Sequence, residues 1–272
     1  SATYVRDVST AQARVLRGAI GIGLAAGESA PMPAQGVAAN ISQAKIDVDA
    51  WDDVLAQATG SGPAARASSP SPAAGAPGVA QDYLPTTMAV RARELTLQGR
   101  TLHNIVAGAL REGTTWRANL DATELNGYLE YRQPGGFEHP NGLLFARLSR
   151  VNMPQSDVSQ VEALLDEQPG ALPALDIIVD DFELRGRRLG RVEMEARNRG
   201  GDGAQREWRL SRFNILAPEA SLTASGNWAL LNAAAPGPRP AQRRTVLSFR
   251  LDIRDSGDLL ARMGMANVVR RG

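Results

Sequence analysis

From about residue 84 onward the chain alternates apolar with polar positions, stretch after stretch. Leu247, Phe249, Leu251 and Ile253 alternate with Ser248, Arg250, Asp252 and Arg254. A period of two puts one set on each face of a pleated strand. Leu189, Val192, Met194 and Ala196 form a second apolar face, and Leu102, Ile105, Ala107 and Ala109 form a third. Trp208, Leu210, Phe213 and Ile215 give another, with one slip of register that predicts a bulge. Ala220, Leu222, Ala224 and Trp228 continue the pattern. The predicted fold class is mainly β: an elongated, twisted antiparallel sheet forming a trough of stacked repeats, with a few short α-helices.

The alternation comes in copies. Leu84-Pro85 opens one copy and Leu172-Pro173 opens the next, an offset close to 87 residues. Each continues to a Trp (Trp116, Trp208) and to a glycine in a later strand (Gly127, Gly226), and each closes in a short helical stretch, Asp157 to Leu165 and Asp255 to Met263. A truncated copy stands in front, with strands at 19–24 and 37–48 and a helix opened by Asp49 as N-cap. A repeat of this kind buries its apolar side by stacking on its neighbours. The expected organisation is a partial repeat at 1–58, an Ala/Pro/Ser linker at 59–80, and fuller repeats at 81–168 and 169–272. The linker has too few large apolar groups to offset the entropy of ordering it. Breaks at 133–141 and 233–243 fall at matching places in the two copies and predict loops on one edge.

A sheet with one apolar side must cover it. Three helices of about two turns are too few for some five strands per repeat. Either the sheet closes into a sandwich or trough, or something other than protein covers it. The candidate lining is Leu102, Ile105, Leu189, Val192, Met194, Leu210, Phe213, Ile215, Leu222, Leu247, Phe249, Leu251 and Ile253.

Composition narrows the alternatives. The 272 residues carry a net charge of +1, which gives no broad basic field for nucleic acid. There is no cysteine, so disulfides and thiolate metal sites are excluded; this suits an oxidising compartment. No run approaches the length of a bilayer-spanning helix. The first residue is Ser, which reads as a segment excised from a longer chain. His103 and His139 lack metal-ligand spacing and read as surface or loop residues. Asp180-Asp181 reads as a bulge and Asp52-Asp53 as a helix first turn. Gly200-Gly201-Asp202-Gly203 reads as a hairpin loop, and Arg185, Arg187, Arg188 and Arg191 as a solvated strand face or turn. Trp116, Trp208 and Trp228 read as core anchors at the sheet ends. No catalytic residue, metal site or cofactor is expected.

The runs Leu172–Ile177, Leu184–Gly190, Pro218–Trp228 and Asp255–Gly264 resemble the C-terminal region of the YhdP proteins. Gly21-Ile22-Gly23 and Asp47–Trp51 are similar to the segment that precedes it in that family. These proteins belong to the AsmA-like group that includes TamB. The resemblance implies a non-enzymatic, periplasmic segment of an inner-membrane-anchored protein that carries phospholipid along a hydrophobic groove toward the outer membrane. Membranes would be met through parts of the full-length protein outside this segment. The alternative is an outer-membrane assembly factor that holds β-strand clients by edge addition. A secreted β-sandwich hydrolase is a third reading, opposed by the missing catalytic constellation.

Overall fold

The computed structural model describes residues 1–9, 14–50, 83–97, 99–135, 139–153, 172–199, 207–230 and 243–265. The expected linker at 59–80, the helix at Asp157–Leu165, the glycine loop at 200–203 and the pair Asp52-Asp53 lie outside these residues. Among the described residues there are thirteen strands: β1 (Ala2–Asp7), β2 (Arg14–Ile22), β3 (Gly36–Asp47), β4 (Thr87–Leu97), β5 (Arg100–Glu112), β6 (Thr115–Asp121), β7 (Leu125–Arg132), β8 (Leu143–Met153), β9 (Ala174–Leu184), β10 (Arg187–Arg199), β11 (Glu207–Leu216), β12 (Ala220–Leu230) and β13 (Arg243–Ile253). Helix α1 (Ser256–Arg262) follows. The fold is mainly β, as the alternation predicts.

The chain divides into two compact units, residues 1–113 with 118–123, and residues 114–117 with 124–272. The first holds strands in the order β1-β2-β3-β4-β5, the second β7-β8-β9-β10-β11-β12-β13. The repeat is legible in strand lengths. β4 and β9 have 11 residues each, β5 and β10 have 13, and β8 and β13 have 11.

The expectation of a wholly antiparallel sheet needs one correction. The pairs β1–β2, β4–β5, β7–β8 and those from β9 to β13 are antiparallel, but β2–β3, β3–β4 and β8–β9 are parallel. A tight turn can join only antiparallel neighbours, whereas a longer connection lets the chain cross back and begin in the same direction. The connections ahead of β3, β4 and β9 are of that longer kind, and two of them mark where one repeat gives way to the next. β4 and β9 each begin after a Leu-Pro pair whose carbonyls are gripped. Asn141 and Asn198 donate to the Leu172 oxygen at 3.3 and 2.9 Å, and Arg111 donates to the Leu84 and Pro85 oxygens at 3.4 and 3.3 Å.

Turn chemistry fits the strands. β9 and β10 join through Arg185-Gly186, both at positive φ (54° and 72°), as a two-residue hairpin matched to strand twist requires. The bulge expected in β11 is present: two residues of β11, Ser211 and Arg212, face the single Glu195 of β10. Asp180-Asp181 also sits in a bulge, where three steps along β9 match two along β10. The capping carboxylate at the end of β3 is Asp47 and not Asp49. Asp47 Oδ1 accepts the Ala50 amide at 3.0 Å, and Asp49 instead accepts the Gly99 amide at 2.7 Å. Asp47 comes first because the chain leaves the strand two residues before Asp49.

Helix α1 is fixed by one buried carboxylate. Asp255 caps it, accepting the Asp258 amide at 3.0 Å. Arg262, in its last turn, forms a two-point ion pair with Glu219 and donates to the Arg188 carbonyl at 3.0 Å. Glu219 is only 5% exposed and lies in the β11–β12 turn, where its carbonyl accepts the Arg254 amide at 2.8 Å. The preceding repeat makes the same turn with Ala122-Thr123-Glu124, and the Glu124 carbonyl accepts the Asn152 amide at 2.7 Å.

The hydrogen bonds from Arg262 hold the Glu219 carboxyl below its usual range, against an opposing effect of burial. A carboxyl whose pKa is depressed on folding contributes stability above its unfolded pKa and loses it as pH falls through the folded value. Glu219→Gln is therefore expected to cost about 1–3 kcal/mol at neutral pH. Thermal melts at pH 7 and pH 3 check this: the gap between variant and parent should narrow in acid.

Candidate functional site: one uncovered apolar face

Register fixes which side chains share a face, because residues directly opposite across a strand pair point the same way. In the second unit one row reads Leu129, Ala146, Ile177, Met194, Phe213, Ala224, Phe249. A second reads Gly127, Leu148, Val179, Val192, Ile215, Leu222, Leu251, and a third Tyr131, Leu144, Leu175, Ala196, Leu210, Gly226, Leu247. Ile253, opposite Ala220, extends the same face. The face ends at Trp208 and Trp228, which lie opposite one another; the Trp208 indole donates to the Pro173 carbonyl at 3.0 Å.

The intervening row is Tyr128, Arg147, Ile178, Glu193, Asn214, Thr223, Arg250. This opposite face carries a ladder of ion pairs. Arg191 bridges Asp180 at 2.5 Å and Glu193 at 3.0 Å, Arg212 and Arg197 each reach Glu195 at 3.0 Å, and Arg147 reaches Asp176 at 2.8 Å while lying over the Phe145 ring. The hydrogen bond from Arg191 lowers the Glu193 pKa. Pairs this exposed contribute little stability each, but they keep this face polar and solvated.

Ten of the thirteen predicted lining residues thus share one face: Val192, Met194, Leu210, Phe213, Ile215, Leu222, Leu247, Phe249, Leu251 and Ile253. Leu189 adjoins Gly190, where the β9–β10 register shifts, and no row fixes its side. Leu102 and Ile105 lie in the first unit, opposite Leu95 and Ala92. Asn104, at φ 54°, stands between them, so simple alternation does not carry one to the other's face. The first unit has its own apolar rows, Ala2, Ile20, Ala39, Met88, Ala109 and Ile22, Ile41, Val90, Ala107.

The predicted lining left out Leu175, Ile177 and Val179 of β9 and Ala146 and Leu148 of β8, which lie squarely in the rows. The Leu175, Ile177, Val179 alternation was the available signal, obscured by Ile178 and by the Asp180-Asp181 bulge. Arg191 belongs to the ion-pair ladder, on the solvated strand face expected for its cluster. His103 is exposed on β5, and His139 is half-buried in the β7–β8 loop.

Among the described residues no second protein layer packs on the face. Among the described residues the substantial contacts within each unit run between neighbouring strands, apart from those of α1 with β10. Most buried apolar residues are alanines. Phe249 is 72% exposed and Leu247 55%. With strands about 4.8 Å apart, the seven-strand rows of the second unit extend roughly 29 Å. Three rows at roughly 7 Å spacing make a patch near 600 Å², at the upper end of what single soluble chains display. The seven strands of the second unit thus form one open layer.

A repeated sheet, apolar on one side and ion-paired on the other, defines a class of proteins that present a continuous greasy surface. The chain belongs to the YhdP family: the sequence model of the family described as "YhdP protein" matches residues 4–272. No curated protein and no solved structure matches the chain. Among the described residues no helix is long and apolar enough to cross a membrane, and no cluster of His, Asp and Glu is placed to hold a metal ion.

Close packing seats the strand that ends these rows. A Cβ at Gly226 would meet the Val246 carbonyl oxygen and come within 3.1 Å of the Leu247 Cα. Gly127 stands in the same relation to Arg147 and to the Leu148 Cα on β8. Gly226→Val should force β13 from β12 at a cost of about 1–3 kcal/mol, read as a lowered midpoint in urea unfolding.

Proposed function

We propose that this segment is non-enzymatic and carries the acyl chains of phospholipid on its apolar face, with headgroups left in water. The observation that carries the reading is that face itself: rows of Leu, Ile, Val, Met and Phe on which no second layer packs among the described residues. An exposed acyl chain and an exposed apolar sheet have the same defect in water, and each removes it for the other. Each methylene buried contributes about 0.8 kcal/mol, so ten methylenes would contribute roughly 8 kcal/mol before the entropy of immobilising the chain is subtracted. The polar ladder on the other face keeps that side in solvent. Extension by further five-strand units lengthens the greasy surface without changing its chemistry, which suits passage of lipid through an aqueous compartment. The periplasm, between an inner membrane that holds the rest of the protein and the outer membrane, is the compartment this reading requires.

The test contrasts the two faces at neighbouring positions. Leu251 lies on the apolar face of β13 and Arg250 on the other. A carboxylate among acyl chains is left without solvation. Leu251→Asp and Met194→Asp should each reduce phospholipid uptake at least tenfold, measured with a fluorescent lipid and by mass spectrometry of organic extracts, while Arg250→Asp should leave it unchanged. A folded Leu251→Asp protein, verified by circular dichroism, that takes up lipid like the parent would overturn the reading.

A further inference from the structure

We propose that a cleft on the polar face of the first unit binds a phosphate group through Arg91 and Arg93. The inference does not rest on the lipid reading, which concerns the opposite face. The cleft is about 430 Å³, and among its lining residues are Ser42 and Ala44 of β3, Arg91 and Arg93 of β4, and Asn104 and Val106 of β5. Val90 and Glu94, which would wall a hollow on the apolar side of Ala92, do not line it, so the cleft opens on the side of the arginines.

The two copies part in charge at this place. β4 and β9 begin 87 residues apart, and so do β5 and β10. Arg91 and Arg93 thus correspond to Ile178 and Asp180, and Asn104 and Val106 correspond to Arg191 and Glu193. In the second unit Arg191 bridges Asp180 and Glu193, so the charges there satisfy one another. In the first unit the same four positions hold two arginines and no acid. Neither guanidinium has an ion pair or hydrogen bond among the described residues. β3 differs as well. Ser42 stands opposite Arg91, where Arg147 stands opposite Ile178 in the second unit. Arg147 reaches across to Asp176; Ser42 is too short to do so and leaves the space open. Two unpaired cations and a cleft therefore arise together, where the other copy has an internal ion pair.

Alternate residues of a strand stand roughly 7 Å apart on one face, close enough for two long guanidinium arms to close on one anion. A guanidinium offers paired donors that match phosphate oxygens. Tetrahedral phosphate has oxygens for both forks, and the Ser42 hydroxyl, in the row of Arg91, adds a further donor. A carboxylate has only two oxygens and fills one fork. A cleft walled by one sign of charge also concentrates its counter-ion.

The probes are inorganic phosphate and glycerophosphoglycerol, the tail-free headgroup of phosphatidylglycerol. Each is titrated into the full 272-residue chain at constant ionic strength, so that screening does not change. The readout is the arginine side-chain NMR resonances. Arg91 and Arg93 should shift together and saturate, while Arg250, exposed and paired with Asp252, should not move. Arg91→Ile with Arg93→Asp installs the residues that the second unit holds at these positions. Checked for folding by circular dichroism, it should lose affinity by roughly tenfold or more. Arg93→Gln, a milder change, should also weaken binding, and Arg250→Gln should bind like the parent. Similar affinity for both probes supports the site with a lipid headgroup as its occupant; a preference for phosphate of roughly tenfold supports it with a free or terminal phosphate. Shifts that do not saturate, equal shifts at Arg250, or undiminished binding by the folded variants of Arg91 and Arg93 would overturn the proposal.

Discussion

The organisation of this protein depends on keeping side-chain alternation in phase from strand to strand. A slip of one residue in any pair would turn the apolar set of that strand to the other face. Seven strands in the second unit stay in phase, and they do so through one parallel junction as well as antiparallel turns. Where the alternation drifts, a bulge restores it. The extra residue at Ser211–Arg212 lets Leu210 and Phe213 share a face although they are three positions apart. The extra residue at Asp180–Asp181 bends β9 near its end and leaves Asp180 within reach of Arg191. These bulges are devices that hold a greasy surface continuous.

Continuity explains why the core is so lean. A compact domain buries large side chains between layers. Here burial comes mainly from small residues at strand crossings, with Val37, Val179 and Val192 among the few larger ones. Stability rests on ladder hydrogen bonds, on cross-strand neighbours, and on a few end fixtures. The Leu-Pro grips at the start of β4 and β9 and the Glu219–Arg262 pair beneath α1 are such fixtures. Each sits where a strand or turn would otherwise leave polar groups unsatisfied. The ion-pair ladder of the outer face adds little energy but fixes which side meets water.

Much of this was legible in the sequence, for identifiable reasons. Period-two alternation in β13, with Leu247, Phe249, Leu251 and Ile253, has one physical meaning on a sheet. The 88-residue offset from Leu84-Pro85 to Leu172-Pro173 marks repeats whose first two strands match in length. The β11 bulge was visible as a missed beat between Leu210 and Phe213. Strand direction was not legible, because nothing local in β3 or β8 says whether the next strand arrives through a turn or a crossover. The cap at Asp47 was hidden by three other acids, Asp49, Asp52 and Asp53, within six residues. The equivalence of Gly127 with Gly226 holds for their role against the next strand but not for their place. Counted from the Glu124 and Glu219 turns they lie four residues, or two pleats, apart. The far side of β9 was obscured because Ile178 breaks its alternation; in the sheet, Ile178 stands in the polar row beside Glu193.

The central claim is that acyl chains cover the apolar rows and leave the opposite face in water. The most direct test is methyl-resolved NMR of the protein with phospholipid carrying a nitroxide in its tail. Broadening should concentrate on Met194, Ile215, Leu222 and Leu251, while Ile178, on the other face of the same sheet, stays sharp. Uniform broadening of both faces, or sharp lines throughout with lipid present and the protein folded, would contradict the account.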